Sequence, residues 1–310
     1  MINTVTLNPA MDKVIYLEAF HVNCMNRIQK VEKCMGGKGT HLAYNFSLLD
    51  VENRTYGVSF GQTGKEIIET LENAGVDTRY LWYETPESRT NYLVVDEQRN
   101  CTFMAERGTT LTTDMTEKLL DMMRESMTNG DVLVIAGDAS NVEDKEVQVK
   151  LLQIAKEMGL RLYLDSSGAF MKIGIDYDPY LIKPNMEELS ELVGRDITDV
   201  EGVVKALDEL PEIPVVMVSM GADGWVFRYQ NNIYRGQGLK VPVGNTAGCG
   251  DALLTGLIYC LEYKKDMSVE EMLRFATAIS ATCAMSNLTV GFDLEMALSL
   301  QGNVQIDLIR

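Results

Sequence analysis

A chain of 310 residues, 46% hydrophobic and 24% charged, has enough apolar material for one large α/β unit with an attachment. Its formal net charge of −17 excludes a non-specific binder of nucleic acid or anionic membrane, which phosphate groups would repel, while leaving room for a local basic pocket. Six scattered cysteines without a C-x-x-C pair, only two histidines and no apolar run of ~18 residues argue against a disulfide scaffold, a histidine-built zinc centre and a membrane span, and point to a cytoplasmic protein.

In chain order, residues 2–7 read as a strand ending in Asn8-Pro9-Ala10-Met11-Asp12. An acid just past a strand's carboxyl end is where open α/β sheets place ligand groups, with an Asx turn as the alternative. Residues 13–17 and 26–33 alternate as two short strands that need not join the main sheet. Gly36-Gly37-Lys38-Gly39 opens a helix over 40–49, either as an anion-binding helix start with one cation or as a tight turn with a solvated Lys38. A strand at 54–58 and an amphipathic helix at 63–74 follow, with Gly75 as the helix stop.

Residues 89–95 and 101–105 flank Asp96-Glu97-Gln98-Arg99 as a hairpin. Neither this pair nor the strands at 13–33 is followed by a helix in βαβ fashion. They group as a small β-sheet lid, residues 11–33 and 87–110, on a large domain made of 1–10, 34–86 and 111–310. Arg27, Arg89 and Arg107 fall on these pieces and either bind a phosphate together by bidentate contacts or are ordinary surface arginines.

From residue 113, helices at 113–127, 145–158, 186–193 and 199–210 alternate with strands at 131–136, 161–165, 180–182 and 215–219. That alternation implies a doubly wound, mostly parallel sheet with helices on both faces. A hairpin over 224–234, turning at Gln230-Asn231, and helices at 251–263 and 269–285 complete the chain.

Three stretches in this second half carry further chemistry. Lys183-Pro184-Asn185-Met186-Glu187-Glu188 ends a strand and opens a helix capped by Asn185. Glu188 is then either free to order waters around a Mg²⁺ beside nucleotide phosphates or part of an ordinary capping pair. Ser219-Met220-Gly221-Ala222-Asp223-Gly224 is a double-glycine loop, fit for passing a ribose or simply for turning. In Asn245-Thr246-Ala247-Gly248-Cys249-Gly250-Asp251, Gly248 and Gly250 free the backbone so that several N–H groups can converge, and Asp251 sits in the first turn of an apolar helix. Bare amides beside one carboxylate suit phosphoryl transfer: the amides hold charge developing on the transferred group, and the carboxylate takes the proton of an attacking hydroxyl. A plain glycine turn is the alternative, and neither G-x-x-x-x-G-K-[ST] nor a well-placed G-x-G-x-x-G occurs.

The order and spacing of these stretches are more informative than any one of them. Together with Thr6-Leu7-Asn8-Pro9-Ala10-Met11-Asp12, Arg89-Thr90-Asn91 and Leu164-Asp165-Ser166-Ser167-Gly168, they make the chain resemble the PfkB (ribokinase-like) carbohydrate kinase family over essentially its full length. Within that family, Asn245-Thr246 in place of Asp-Thr is the habit of the phosphosugar kinases. The resemblance implies a large doubly wound α/β domain with a β-sheet lid, ATP as donor, Mg²⁺ as helper, and a homodimer paired through the lid. It matches Asp251 to the catalytic base and the amides of Ala247, Gly248, Cys249 and Gly250 to an anion hole. Asp12, Gly37, Lys38, His41 and Asn91 match the sugar side, with Arg27 and Arg89 for an existing phosphate. Lys183, Asn185, Ser219, Gly221 and Gly224 match the nucleotide side, and Glu188 the metal.

Three departures stand out. The family usually has asparagine at the position of His41, whose bulkier imidazole either reshapes the sugar pocket or merely substitutes in place. Asp138 replaces an uncharged residue near where a substrate phosphate would lie. Cys249 replaces the common alanine. The expected reaction is ATP-dependent phosphorylation of the free primary hydroxyl of a ketohexose phosphate, fructose 1-phosphate ahead of tagatose 6-phosphate. An unphosphorylated sugar or nucleoside is the rival acceptor, and a catalytically silent sugar-binding regulator the rival of another class.

Overall fold

Short runs of valine, isoleucine and leucine separated by amphipathic segments can bury themselves only as strands covered by helices on both faces. The computed structural model describes residues 1–137 and 139–310, so the expectation for Asp138 lies outside the described residues. The chain begins with β1 (Ile2–Thr6), β2 (Ala10–Tyr16), β3 (Lys30–Gly36), α1 (Lys38–Ser47), β4 (Asn53–Phe60), α2 (Gly61–Asn73), β5 (Asp77–Tyr83), β6 (Arg89–Val95) and β7 (Cys101–Ala105). It continues through α3 (Thr113–Ser126), β8 (Val132–Ala136), α4 (Val147–Glu157), β9 (Arg161–Asp165), α5 (Gly168–Gly174), β10 (Leu181–Ile182), α6 (Met186–Val193), α7 (Val200–Glu209) and β11 (Val215–Ser219). It closes with β12 (Trp225–Tyr229), β13 (Asn232–Gly236), α8 (Cys249–Tyr263), α9 (Val269–Met285), α10 (Leu294–Leu300) and β14 (Ile306–Leu308).

The main sheet has the order β14-β13-β12-β11-β10-β9-β8-β1-β4-β5. From β11 to β5 neighbouring strands are parallel, and β12, β13 and β14 extend the sheet antiparallel. Successive side chains of a strand point to opposite faces. Leu133 and Ile135 of β8 therefore enter one core with Leu119 of α3 and Leu151 of α4. Val132 and Val134 enter the other, with Phe46 of α1, Leu254 of α8 and Leu273 of α9. Each such buried side chain contributes about 1.5–3 kcal/mol. Helix α8 lies between sheet and α9 and buries Ala252, Leu253, Leu254, Leu257 and Ile258, which is why its sequence is apolar all round and why its first turn, with Asp251, is drawn inside.

A second sheet, β3-β2-β6-β7, stands apart. Val14, Leu93 and Val95 of its inner face form a small core with Tyr16 and with Ala247 of the glycine loop. The turn between β6 and β7 reaches the large unit through Arg99 Nη1, which donates to Asn287 Oδ1 at 3.1 Å. No helix among the described residues is long and apolar enough to cross a membrane.

Four elements were not legible in the sequence: β5, α5, α10 and β14. β5 is a half-exposed sheet edge with polar residues interleaved. The other three are seven residues or fewer, too short for a period to emerge. One expectation is corrected. β2 begins at Ala10, so Asp12 lies inside a strand, opposite Cys34 of β3 and Asn91 of β6, rather than in a turn.

Candidate functional site

The chain winds from β1 to β4 and β5 on one side and then returns to β8 and β9 on the other. Such a switch leaves a crevice at the carboxyl ends of the two middle strands. A cleft of about 330 Å³ opens there, and Asp12, Lys38, His41, Arg89, Asn91 and Asp251 line it together with Gly37 and Ala247. The small sheet thus supplies one wall and the starts of α1 and α8 the other.

Gly248 caps α8 with φ 81°, and a Cβ there would sit 1.8 Å from the Thr289 carbonyl oxygen, so no other residue fits. The first N–H groups of a helix have no intrahelical acceptor. Here Ala247 N–H donates to Asn245 Oδ1 at 3.0 Å and Cys249 N–H makes a long contact, 3.4 Å, to Thr246 O. The N–H groups of Gly248, Gly250 and Asp251 make no hydrogen bond among the described residues and are left for an anion. Lys183 Nζ stands 3.5 Å from the place a Cβ on Gly250 would take.

Three buried acids frame this loop. Asp12 accepts from Asn91 Nδ2 and from Thr289 Oγ1, both at 2.7 Å. Its closeness to β3 explains Gly36, where a Cβ would fall 2.0 Å from Asp12 Oδ1. Asp165, at the end of β9, has no exposed surface and receives Lys38 Nζ at 3.1 Å and Lys183 Nζ at 3.2 Å on its two oxygens. Burial alone would raise its pKa; the Lys183 and Lys38 ammonium groups outweigh that and hold the carboxyl below its usual range. Lys38 answers in kind: burial pulls its pKa down, but Asp165 and Asp251 raise it above the ordinary lysine value.

Asp251 is 6% exposed, and its Oδ2 lies 2.7 Å from His41 Nδ1. The other ring nitrogen, Nε2, is 3.0 Å from the Met35 carbonyl oxygen. Asp251 Oδ1 has no hydrogen-bond partner among the described residues and is the oxygen available to a ligand.

Among the residues expected to face a nucleotide, Asn185 and Ser219 pair as a parallel bridge, and Ser219 N–H donates to Pro184 O at 3.0 Å, so the ends of β10 and β11 lie together. Gly221 is open to solvent, while Gly224 has φ 88° against the Gly236 carbonyl. Glu188 takes the capping arrangement, the second of the two readings its spacing allows. Its Oε2 accepts from Asn185 N–H while Asn185 Oδ1 accepts from Glu188 N–H, both at 2.8 Å, a capping box that leaves Oε1 for a water. No group of three or more potential metal ligands occurs among the described residues.

Arg89 alone of the three arginines lines the cleft, with its Nε on Asn8 O at 3.1 Å. Arg27 is exposed in the loop between β2 and β3, and Arg107 is exposed with its carbonyl taken by Asn8 Nδ2. Sequence reasoning missed two residues. Asp165 carried the same strand-end signal as Asp12 and was passed over as a site residue; Thr289, in the loop after α9, carried no signal at all.

The Asp165 carboxyl titrates lower in the folded chain than in the unfolded one. It therefore contributes stability that is complete above about pH 4 and is lost as pH falls through the depressed folded value. Asp165→Asn should cost about 3 kcal/mol at pH 7, because Lys183 is left buried without its counter-charge. It should also flatten the acid limb in urea titrations; a limb as steep as the parent's would overturn this role.

Comparison with known proteins accords with this geometry. The pfkB family carbohydrate kinase profile matches residues 5–291. A 1-phosphofructokinase of Vibrio cholerae is 28% identical, over 98% of this chain and 95% of its own. A tagatose-6-phosphate kinase of Staphylococcus epidermidis is 26% identical, over 93% of this chain and 94% of its own. The solved structure of phosphofructokinase-2 from Escherichia coli in complex with substrates and products shares the fold with a TM-score of 0.89, at 24% identity over 97% of this chain and 98% of that one. The chain belongs to the pfkB family of carbohydrate kinases and is a sugar phosphotransferase with the ribokinase-like fold.

Proposed function

We propose that this kinase transfers the γ-phosphoryl group of ATP to the free primary hydroxyl of a ketohexose phosphate, with fructose 1-phosphate as its acceptor. The observation that carries the reading is Asp251: it lines the cleft with Oδ2 held by His41 and Oδ1 without a partner among the described residues, in the same helix start as the unbonded amides of Gly248 and Gly250. Asp251 takes the proton as the hydroxyl oxygen forms its bond to the γ-phosphorus and the bridging bond to ADP breaks. The amides, Lys38 and Lys183 hold the charge of the group in transit. Asp12 and Asn91 orient sugar hydroxyls, and Arg89 binds the phosphate already present.

Asn185, Ser219, Gly221 and Gly224 form the nucleotide's side of the cleft. Glu188 would hold Mg²⁺ through Oε1 and water, and the ion would neutralise phosphate charge. The small sheet, residues 11–33 and 87–110, acts as a lid that excludes water. Tagatose 6-phosphate is the second reading, favoured by the tagatose-6-phosphate kinase relative. Six unpaired cysteines fit a cytoplasmic setting.

The lid also carries the proposed homodimer. All of β7 is exposed, and Val22, Met25 and Ile28 of the β2–β3 loop are 77%, 78% and 56% exposed, more apolar surface than one small sheet usually leaves bare.

Asp251→Asn should lower kcat, read as ADP release with fructose 1-phosphate, by about 10²-fold or more with ATP affinity little changed. Near-normal turnover would remove Asp251 as the base. Arg89→Ala should raise KM for the sugar phosphate by about tenfold or more and leave KM for ATP nearly unchanged; equal effects on both would count against a phosphate site there. In sedimentation at micromolar concentration the parent chain should be a dimer and Met25→Asp with Ile28→Asp a monomer. A monomeric parent would sink the lid pairing.

A further inference from the structure

The imidazole of His41 has an acceptor at each nitrogen. The Met35 carbonyl carries no proton, so Nε2 must be the donor in that bond. If Nε2 carries the hydrogen, a neutral ring would turn the Nδ1 lone pair toward the carboxylate of Asp251, and two lone pairs do not meet at 2.7 Å. A proton therefore lies between Nδ1 and Oδ2. With both nitrogens engaged, the ring has no donor or acceptor left for a sugar hydroxyl, although it lines the cleft.

We propose that His41 is a positioning residue: as an imidazolium it clamps Oδ2 of Asp251 to the Met35 carbonyl and leaves Oδ1 as the one oxygen that takes the substrate proton. The inference rests on the reading of Asp251 as the base. In the transfer step the hydroxyl proton goes to Oδ1, the electron pair of the broken O–H bond goes into the new bond to phosphorus, and the pair of the broken bridging bond leaves with ADP. The proton on His41 does not move. The clamp holds the carboxylate's plane and places a cation beside it, where an asparagine at this position would place none.

The surroundings favour the charged ring. Asp12 on β2 places Oδ2 4.0 Å from Nε2, and Asp251 on α8 faces Nδ1. Burial draws the imidazole's pKa down, but the bond to Asp251 and the charges of Asp251 and Asp12 outweigh it and leave it raised. Lys38, on the same helix as His41, is a further cation near Asp251, whose charge helps raise the lysine's pKa. Cys34 on β3 contributes a buried thiol whose pKa burial pushes up, so it stays neutral. The thiols of Cys249 on α8 and Cys283 on α9 and the ammonium of Lys183, 3.5 Å from the place of a Gly250 Cβ, also stand near Asp251.

Two measurements test this. The chain has only two histidines, and His21 is exposed, so imidazole ¹H–¹⁵N spectra of the parent are assigned by one His21→Gln variant. His41 should show both ring nitrogens protonated at pH 7.5, and Asp251→Asn should lower its midpoint by about one pH unit or more. A neutral His41 in the parent at pH 7.5 overturns the proposal without any variant of the cleft needing to fold. In kinetics, His41→Gln, which offers an uncharged donor, should move the acid limb of the kcat profile up by about one pH unit or more and change KM for ATP less than twofold. If Asp251→Asn is inactive but the acid limb of His41→Gln stays in place, the clamp fails while the base stands. If Asp251→Asn is active, the base itself has failed.

Discussion

The cleft depends on keeping carboxylates charged out of bulk water. An isolated buried carboxylate costs several kcal/mol, and proteins either protonate it or surround it with donors. Three acids converge here, and each is satisfied differently. Asp12 takes neutral donors from Asn91 and Thr289. Asp165 takes two ammonium groups. Asp251 takes one imidazole on one oxygen and keeps the other. Those differences set what each acid has left to offer: the oxygens of Asp12 are met by neutral donors, those of Asp165 by two lysines, and Asp251 alone of the three keeps an oxygen without a partner among the described residues.

The same arrangement reconciles a net charge of −17 with anionic substrates. Lys38, Lys183 and Arg89 gather at the strand ends with the unbonded amides of the glycine loop, so the local field is opposite in sign to the whole. Lid and loop are also joined mechanically. Ala247 packs into the lid's own apolar core, beside Val14, Leu93 and Val95, and Arg99 ties the far hairpin to Asn287. A displacement of the small sheet would therefore be felt at the glycine loop, without a separate device to couple them.

Much of this was readable along the chain. The glycine loops before α1 and α8, the acid in the first turn of α8, and the strand–helix alternation of the second half are local signals, carried by φ freedom, capping and apolar period. The boundaries of β6, β7, β9, α6, β11 and α9 coincide with those expectations. The failures are instructive for the same reason. Glu188 reads identically as a metal ligand and as half of a capping box, because both uses need the same spacing from Asn185. Arg27, Arg89 and Arg107 look alike in sequence, and only Arg89 sits where β6 runs beside β2 into the cleft.

By itself, then, the sequence determined the fold class and the kinase family, since both are written in local patterns or in the order of motifs. Tertiary structure alone decided which side chains meet. His41 reaches Asp251 across 210 positions, Asp12 reaches Thr289 across 277, and Lys38 reaches Asp165 across 127. Those meetings are set by strand order and parallel register, which bring distant strand and helix ends to one edge of the sheet, and no window of sequence contains them.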